Sequence, residues 1–411
     1  MLNFRTASAF LFFLVATLPL QAQVESDFYN PDPVVSNLQL QVNASDYEGD
    51  DTQALQTLID QATLLSDGVK RGANIFIPAG RYYISTITMK SNVHLKVNSD
   101  TTFRLISHPN PDKIHKMFVF GGKNEPHVTN TSIVCQTSSD ERFHITLTDT
   151  TNSGIMPISF GNASNFKLSG IRIIDDRTRY QGINFSTTTD PNGNYVRPMD
   201  GYIRNVSIKN AAYGYGLVQM HSGKNICFNN ISGVGGTTLR LESGWLEDEA
   251  PDLVMEDIFA RNVRCTDGNS AVMLSPHQQN HKTVDIRNVT ANSCGFAVRI
   301  SDSFPPGGLP NGSFARDSVI RQVKVKFGNN ALVRAIHFKF APPSFKYTVF
   351  KNDKLDNEPE AYRGPSISAS LLTACFTVDF NPNQHISSLT TDGKNRPNGG
   401  KFVSAAIDCP N

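Results

Sequence analysis

One strand pattern returns along this chain, coil after coil, between about residue 165 and residue 340. It reads Phe166-Lys167-Leu168-Ser169-Gly170-Ile171-Arg172-Ile173, then Ile203-Arg204-Asn205-Val206-Ser207-Ile208, then Asn225-Ile226-Cys227-Phe228-Asn229-Asn230-Ile231. It returns as Asp257-Ile258-Phe259-Ala260-Arg261-Asn262-Val263 and as Val284-Asp285-Ile286-Arg287-Asn288-Val289. Apolar residues alternate in each copy, the period of a strand with one buried face. Copies spaced by roughly 20–40 residues are the signature of a solenoid in which every repeat adds one coil. The fold class expected is therefore all-β, a right-handed parallel β-helix. Such a stack carries a long groove along its side, which suits an extended polymer such as a polysaccharide.

The two ends of the chain read differently. Met1 to about Ala22 has the three parts of a secretory signal: Arg5, an apolar run from Phe10 to Leu20, and Leu-Gln-Ala closing at Ala22. The expected segmentation is a signal peptide over 1–22 and one β-helix domain over 23–411, exported to the periplasm or beyond. The apolar run is too short to span a bilayer and no later run is long enough, so no membrane anchor is expected after cleavage. Charge is almost balanced, 38 Lys and Arg against 37 Asp and Glu. No basic segment interleaved with aromatics appears, which argues against nucleic acid as a partner. Oligomeric state leaves no mark in the sequence.

An amphipathic stretch with Ala54, Leu55, Leu58, Ile59, Ala62 and Leu65 on one face follows Asp50-Asp51. It is expected to be a helix, with the acidic pair at its positive end, covering the open end of the solenoid. Strands are expected at Ile75 to Ile77, Tyr82 to Ile87 and Val93 to Val97. The rhythm breaks in a loop-rich insertion around 303–365, where Pro305-Pro306-Gly307-Gly308 and Pro342-Pro343 are turn signals. Two strands are expected inside it, Val319 to Phe327 and Leu332 to Phe340, with Lys324, Lys326, His337 and Lys339 at alternating positions. Thr373 to Phe380 and Phe402 to Ile407 are expected to finish the stack. Six cysteines occur with no CxxC pair. Export permits disulfides, and Cys375 with Cys409 is the expected pair; Cys227, Cys265 and Cys294 are expected to be single buried thiols.

Four central segments look like neighbouring coils: Leu217 to Met220, Leu239 to Glu242, Val272 to Ser275 and Val298 to Ser301. Alternation sends Leu239 and Leu241 inward and Arg240 and Glu242 outward. The same logic places Gln219, His221, Ser275 and His277 outside, so Gln219, Glu242 and His277 converge. A carboxylic acid beside a sugar groove is suited to protonating a leaving glycosidic oxygen. Trp245 offers an aromatic face for a sugar ring. Each residue also has a plainer reading: a solvated carboxylate, an amide ladder rung, a loop histidine, a packed indole.

The pattern Asp50-Asp51-Thr52…Ile75-Phe76-Ile77-Pro78-Ala79-Gly80-Arg81-Tyr82 resembles the pectin-lyase-like β-helix proteins. The stretch Gln219…Gly236-Thr237-Thr238-Leu239-Arg240-Leu241-Glu242…Ser275-Pro276-His277 resembles the iota-carrageenases, secreted glycoside hydrolases. The resemblance implies endo-hydrolysis of a sulfated galactan with inversion. It makes Glu242 the general acid, gives Gln219 a part in placing the water, and leaves His277 to hold substrate. No cofactor is required; a bound chloride and a structural calcium come with the resemblance. Family members also carry an Asp two residues after the Glu as base, a step of about 6.6 Å along a strand, close to the ~6.5–9.5 Å of inverting pairs. This chain has Gly244 there, which leaves Glu247, Asp248 and Asp302 as candidate bases. Arg240 and Arg299, in one outward row, would meet sulfates, with His221 and Trp245 as further substrate contacts.

Three other readings stay open. A pectin-type hydrolase would need paired aspartates, Gly-His-Gly and Arg-Ile-Lys. The chain has Asp175-Asp176 but no Gly-His-Gly, and Arg299-Ile300 is followed by Ser301. A lyase on the same fold could use Arg240 or Arg299 as base or neutraliser. A non-catalytic binding protein would account for Gly244.

Overall fold

The computed structural model describes residues 23–41, 49–107, 110, 113–137, 140–148, 150–176, 178–243, 250–301, 311–341, 350–351, 361–391, 400–401 and 403–404. Within them, 22 strands join by parallel pairing into one continuous sheet, the expected right-handed β-helix. The repeats stack in register: Leu168 lies beside Ile203, and the row continues through Phe228, Ala260, Ile286 and Ile320. All six are fully buried. Burying an Ile or Phe in such a row is worth about 1.5–3 kcal/mol, so each coil is stabilised mainly by its neighbours. Phenylalanines form a second inner stack, with Phe120–Phe160 at 4.3 Å and Phe160–Phe185 at 4.8 Å between ring centroids.

The asparagines in the repeats make the coil corners. Asn205, Asn230, Asn262 and Asn288 all have φ between 54° and 58°. Asparagine tolerates that left-handed region better than other side chains with a Cβ. Their amides run between coils: Asn230 Nδ2 donates to Asn205 Oδ1 at 3.2 Å, and Asn288 donates to Asn262. Each polar corner therefore finds its partner one coil away.

The helix spans Thr52–Leu64 and buries Leu55, Ile59 and Ala62 against the first coils. Asp50 Oδ1 accepts from the Thr52 N–H at 2.9 Å, whereas Asp51 Oδ2 accepts from the Tyr83 N–H at 2.8 Å. One acid thus caps the helix and the other ties it to the solenoid.

Several sequence expectations need correction. Cys265 and Cys294 are not single thiols but a disulfide, with Cα atoms 6.6 Å apart. Cys265 lies beside Ala291 in the next coil, so a turn of a few residues brings Cys294 back into bonding range. Cys227 is a buried free thiol, pushed up to about 12 by burial. Cys375 is disulfide-bonded; its expected partner, Cys409, lies outside the described residues. The 332–340 strand ends at Arg334 and continues as a 3-10 helix, Ala335–Phe340. His337 is buried there, edge-on to Phe296 at 5.3 Å. Lys324 and Lys326 are exposed, but their strand pairs with Val284–Asn292, a different arm of the coil from the one bearing Glu242. Tyr82 to Ile87 is two short strands, Gly80–Ile84 and Ile87–Met89. Thr373 to Phe380 is mostly not strand: after Thr373 one parallel bridge, Asp379 with Val319, precedes the next strand, Ile386–Thr391. Residues 303–310, 342–349 and 352–360 of the insertion, like 402 and 405–407, lie outside the described residues.

The disulfide closes a loop of 29 residues. Chain-entropy arguments assign such a loop about 3–4 kcal/mol. Cys294→Ala is therefore expected to lower the denaturant midpoint clearly. A midpoint unchanged between reduced and oxidised protein would show that the coils alone carry this stability.

Candidate active site

Two outward rows carry the polar chemistry. In the first, Asn184, Gln219, Arg240, Met273 and Arg299 lie side by side on successive coils. The alternation read from sequence is therefore in register, and Arg240 and Arg299 do share a row two coils apart. In the second row Glu242 lies beside Ser275. His221, one residue past the Met220–Leu241 pair, lies beside Glu242 on its other side. Leu239 and Leu241 are fully buried, which leaves the side chains of Arg240 and Glu242 on the outside at 16% and 14% exposure. Outward does not mean exposed, however. Gln219 is only 1% exposed because Glu242 and Arg240 cover it.

Glu242 is the hub. Its Oε2 pairs with Arg240 Nη2, and its Oε1 lies 3.6 Å from His277 Nε2. Gln219 Nε2 donates to the Glu242 carbonyl oxygen at 3.1 Å and to Oε2 at 3.4 Å. Gln219 Oε1 is buried without a hydrogen-bond donor among the described residues. Burial alone would raise the Glu242 carboxyl, but Arg240, the His277 contact and the charges of His277 and His221 outweigh it, holding it at about 2. In the free protein Glu242 is a carboxylate. His277 itself sits at φ 50°, a strained conformation for a residue with a Cβ, imposed where the chain leaves the Ser270–Ser275 strand.

Three contributors were missed in the sequence. Tyr215 lies under the Arg240 guanidinium, 4.7 Å from ring centroid to charge, and Gly214 accepts a hydrogen bond from Nη1. Both fix Arg240 over the acid. The third is His281, fully buried and pushed down to about 3 by burial, then by the charge of His277. Its Nδ1 accepts from the Met255 N–H at 3.0 Å, so Nε2 carries the proton and donates to Ser243 Oγ at 2.7 Å. Ser243 in turn donates to the Pro276 carbonyl at 2.8 Å. This chain ties the residue after Glu242 to the residue before His277. Its only sequence signal is a second histidine four residues beyond His277. Arg299 is held farther along by Asn269 Oδ1 at 2.7 Å.

Trp245, Glu247, Asp248 and Asp302, like Gly244, lie outside the described residues. Among the described residues no three His, Cys, Asp or Glu side chains group so as to hold a metal ion. The donors that would suit a chloride, Gln219 Nε2 and His277 Nε2, are turned onto Glu242. No step below is routed through either ion.

The coil architecture places the molecule among the pectate-lyase-like β-helices. Residues 43–249 match the family model described as rhamnogalacturonase A/epimerase, pectate lyase-like, and the chain belongs to that family. Within it, the chain is similar to the iota-carrageenases. It is 37% identical over 264 residues to an iota-carrageenase of Zobellia galactanivorans, across 64% of this chain and 51% of that protein. An iota-carrageenase of Alteromonas macleodii is 32% identical over 256 residues, across 62% and 50%. The chain thus spans about half the length of the curated relatives it matches. A solved 1,3-alpha-1,4-beta-D-galactose-4-sulfate-3,6-anhydro-D-galactose-2-sulfate 4 galactohydrolase superposes with a TM-score of 0.82 at 25% identity, over 96% of each chain.

Proposed function

We propose that this protein is an exported endo-hydrolase of iota-carrageenan or a closely related sulfated galactan. The observation that carries this reading is Glu242, half-buried on the outer face of the coil and held between Arg240 and His277. The curated relatives, all iota-carrageenases, supply the substrate class. Glu242, once protonated, gives its proton to the glycosidic oxygen as the bond to the anomeric carbon breaks. Water attacks that carbon from the opposite face and loses its proton to a base, which inverts the configuration. Gln219, with a buried carbonyl lacking a donor, accepts a hydrogen bond from that water or from a sugar hydroxyl. Glu247, Asp248 and Asp302 are the candidates for base in place of the Asp that Gly244 replaces. Arg240 and Arg299 take sulfate oxygens, and His221, His277 and Trp245 hold the sugar.

Gly244 favours a second reading, a protein that binds the polymer without cutting it. A lyase is the third possibility. One experiment separates all three: reducing ends and ultraviolet absorbance followed together on iota-carrageenan, desulfated carrageenan and pectate. Reducing ends from the sulfated polymer, without absorbing unsaturated ends, are the expected result. Unsaturated ends would make it a lyase. Binding with no product at all would make it a lectin on a hydrolase-like fold.

A further inference from the structure

An open pocket of about 260 Å³ lies on the groove face, on the N-terminal side of Glu242. It continues both polar rows. Val119, Ser159 and Asn184 lead to Gln219 and Arg240 in the first. In the second, Gly121, Gly161 and Ser186 lead to His221 and Glu242, each one residue past a paired Phe120, Phe160, Phe185, Met220 or Leu241. At ~4.8 Å between coils, Ser186 lies ~10 Å and Gly121 ~19 Å from Glu242 along the groove.

The pocket is built from chemistry that suits a charged sugar. Lys116 and Lys123 line it, with hydroxyls from Ser159, Ser186, Thr187, Thr188 and Thr189. Tyr195, 38% exposed, adds an aromatic face. It stands on a short hairpin in which Thr188–Thr189 pairs with Tyr195–Val196. That hairpin is fastened to the opposite wall: Asn124 N–H donates to the Thr189 carbonyl at 2.8 Å, and Thr189 Oγ1 donates to Asn124 Oδ1 at 2.6 Å. The floor is glycine because it must be. A Cβ on Gly161 would lie 2.5 Å from the Gly121 carbonyl oxygen and 2.8 Å from Thr188 Cγ2. The nearby acid, Glu125, has Oε2 accepting from the Gly122 N–H at 2.9 Å. The pocket thus holds two lysines and no carboxylate of its own, and neither lysine forms an ion pair of the kind seen between Lys167 and Glu25 among the described residues. Burial pushes Lys116 below its ordinary range against the pull of Glu125, so an anion beside it would recover lost solvation. The volume sits near the lower end of small-ligand pockets, ~300 Å³, which fits one sugar ring and its substituent.

Building on the hydrolase reading, we propose that this pocket is a distal subsite that takes a sulfated sugar of the bound polymer, the sulfate on Lys116 and Lys123 and the ring against Tyr195. Its contacts lie coils away from the bond that breaks. It therefore contributes uniform binding, which changes KM and leaves kcat alone.

The test compares wild type with Lys116→Met/Lys123→Met and with Tyr195→Ala. Substrates are long sulfated galactan, oligosaccharides too short to reach from Glu242 to the pocket, and desulfated polymer. Melting temperatures confirm folding, and Tyr195→Ala, at an exposed position, keeps the test open if the lysine pair fails to fold. On long sulfated chains the lysine pair is expected to raise KM about tenfold or more, since a charge-assisted hydrogen bond is worth about that factor, and Tyr195→Ala to raise it severalfold through the lost ring contact, with kcat near wild type in both. On the short oligosaccharides neither variant should differ from wild type. Unchanged KM on the polymer, or equal losses on short and long substrates, would overturn the subsite. An equal loss on desulfated polymer would overturn its charge selectivity. Should wild type cut nothing, the hydrolase reading fails by itself. Binding of sulfated oligosaccharide to wild type and to the two variants then judges the pocket alone.

Discussion

Glu242→Gln is expected to reduce reducing-end release from iota-carrageenan by about 10³-fold or more while polymer binding persists. General acid catalysis contributes typically ~10²–10⁴-fold, and no other described side chain at the hub carries an acid proton of that kind. The amide keeps the volume and the contact with Gln219, so the substitution isolates the proton. It also takes the carboxylate from Arg240, and removing one partner of a buried pair costs about 3–5 kcal/mol when the other is stranded. Arg240 is not stranded. It retains Gly214 and the Tyr215 ring, and at 16% exposure it reaches water. A folded, binding-competent and inactive variant is therefore the expected outcome. Activity within tenfold of wild type would remove Glu242 from the chemistry and return the choice to a lyase using Arg240 or Arg299.

The repeats made the coil legible because solenoid packing is local. Each inward residue meets its counterpart one coil away, so alternation alone placed Leu239 and Leu241 inside and Arg240 and Glu242 outside. The shared row of Arg240 and Arg299 follows from the same rule. Corners were less legible. Met199–Met220 is one long strand that bends with register shifts between Ile208 and Gly216, and this bend brings Tyr215 beneath Arg240. A disulfide between adjacent coils depends on how short that turn is, which spacing does not encode. Ala335–Phe340 alternates like a strand yet pairs with no strand among the described residues, and it takes 3-10 geometry instead. The Lys116 pocket needs residues 116–123 and 186–195 brought together by register, and no single segment announces it. Ser243 and His281 were invisible for the same reason: their hydrogen bond joins residues 38 apart.

Arg240→Gln is expected to return Glu242 to or above the ordinary carboxylate range in the free protein, the largest electrostatic change available at the site. Burial and the Arg240 charge act on Glu242 in opposite directions, and the cation with the two histidines currently prevails, holding it at about 2. With Arg240 neutral, the burial effect gains the upper hand. The consequence for catalysis is direct. An acid of pKa about 2 is protonated in only about 10⁻⁵ of molecules at pH 7. A substrate sulfate on Arg240 draws the guanidinium's charge away from Glu242 and so restores the proton at the moment of binding. In wild type the alkaline limb of kcat, which reports the complex, should therefore lie well above the free-enzyme titration. Infrared spectroscopy of isotope-labelled Glu242 would read the same shift when a sulfated oligosaccharide is added. Acid stability gives an independent sign. The depressed carboxyl stabilises the fold above about pH 4.5, and that contribution, on the order of 3 kcal/mol, is lost as pH falls towards about 2. In Arg240→Gln a raised carboxyl reverses the dependence, favouring the fold at low pH and losing that contribution as pH rises. If Glu242 in Arg240→Gln still titrates near 2, or if wild-type kcat and kcat/KM fall together with pH, then the arginine does not gate the acid. Sulfate recognition would then be separate from proton delivery.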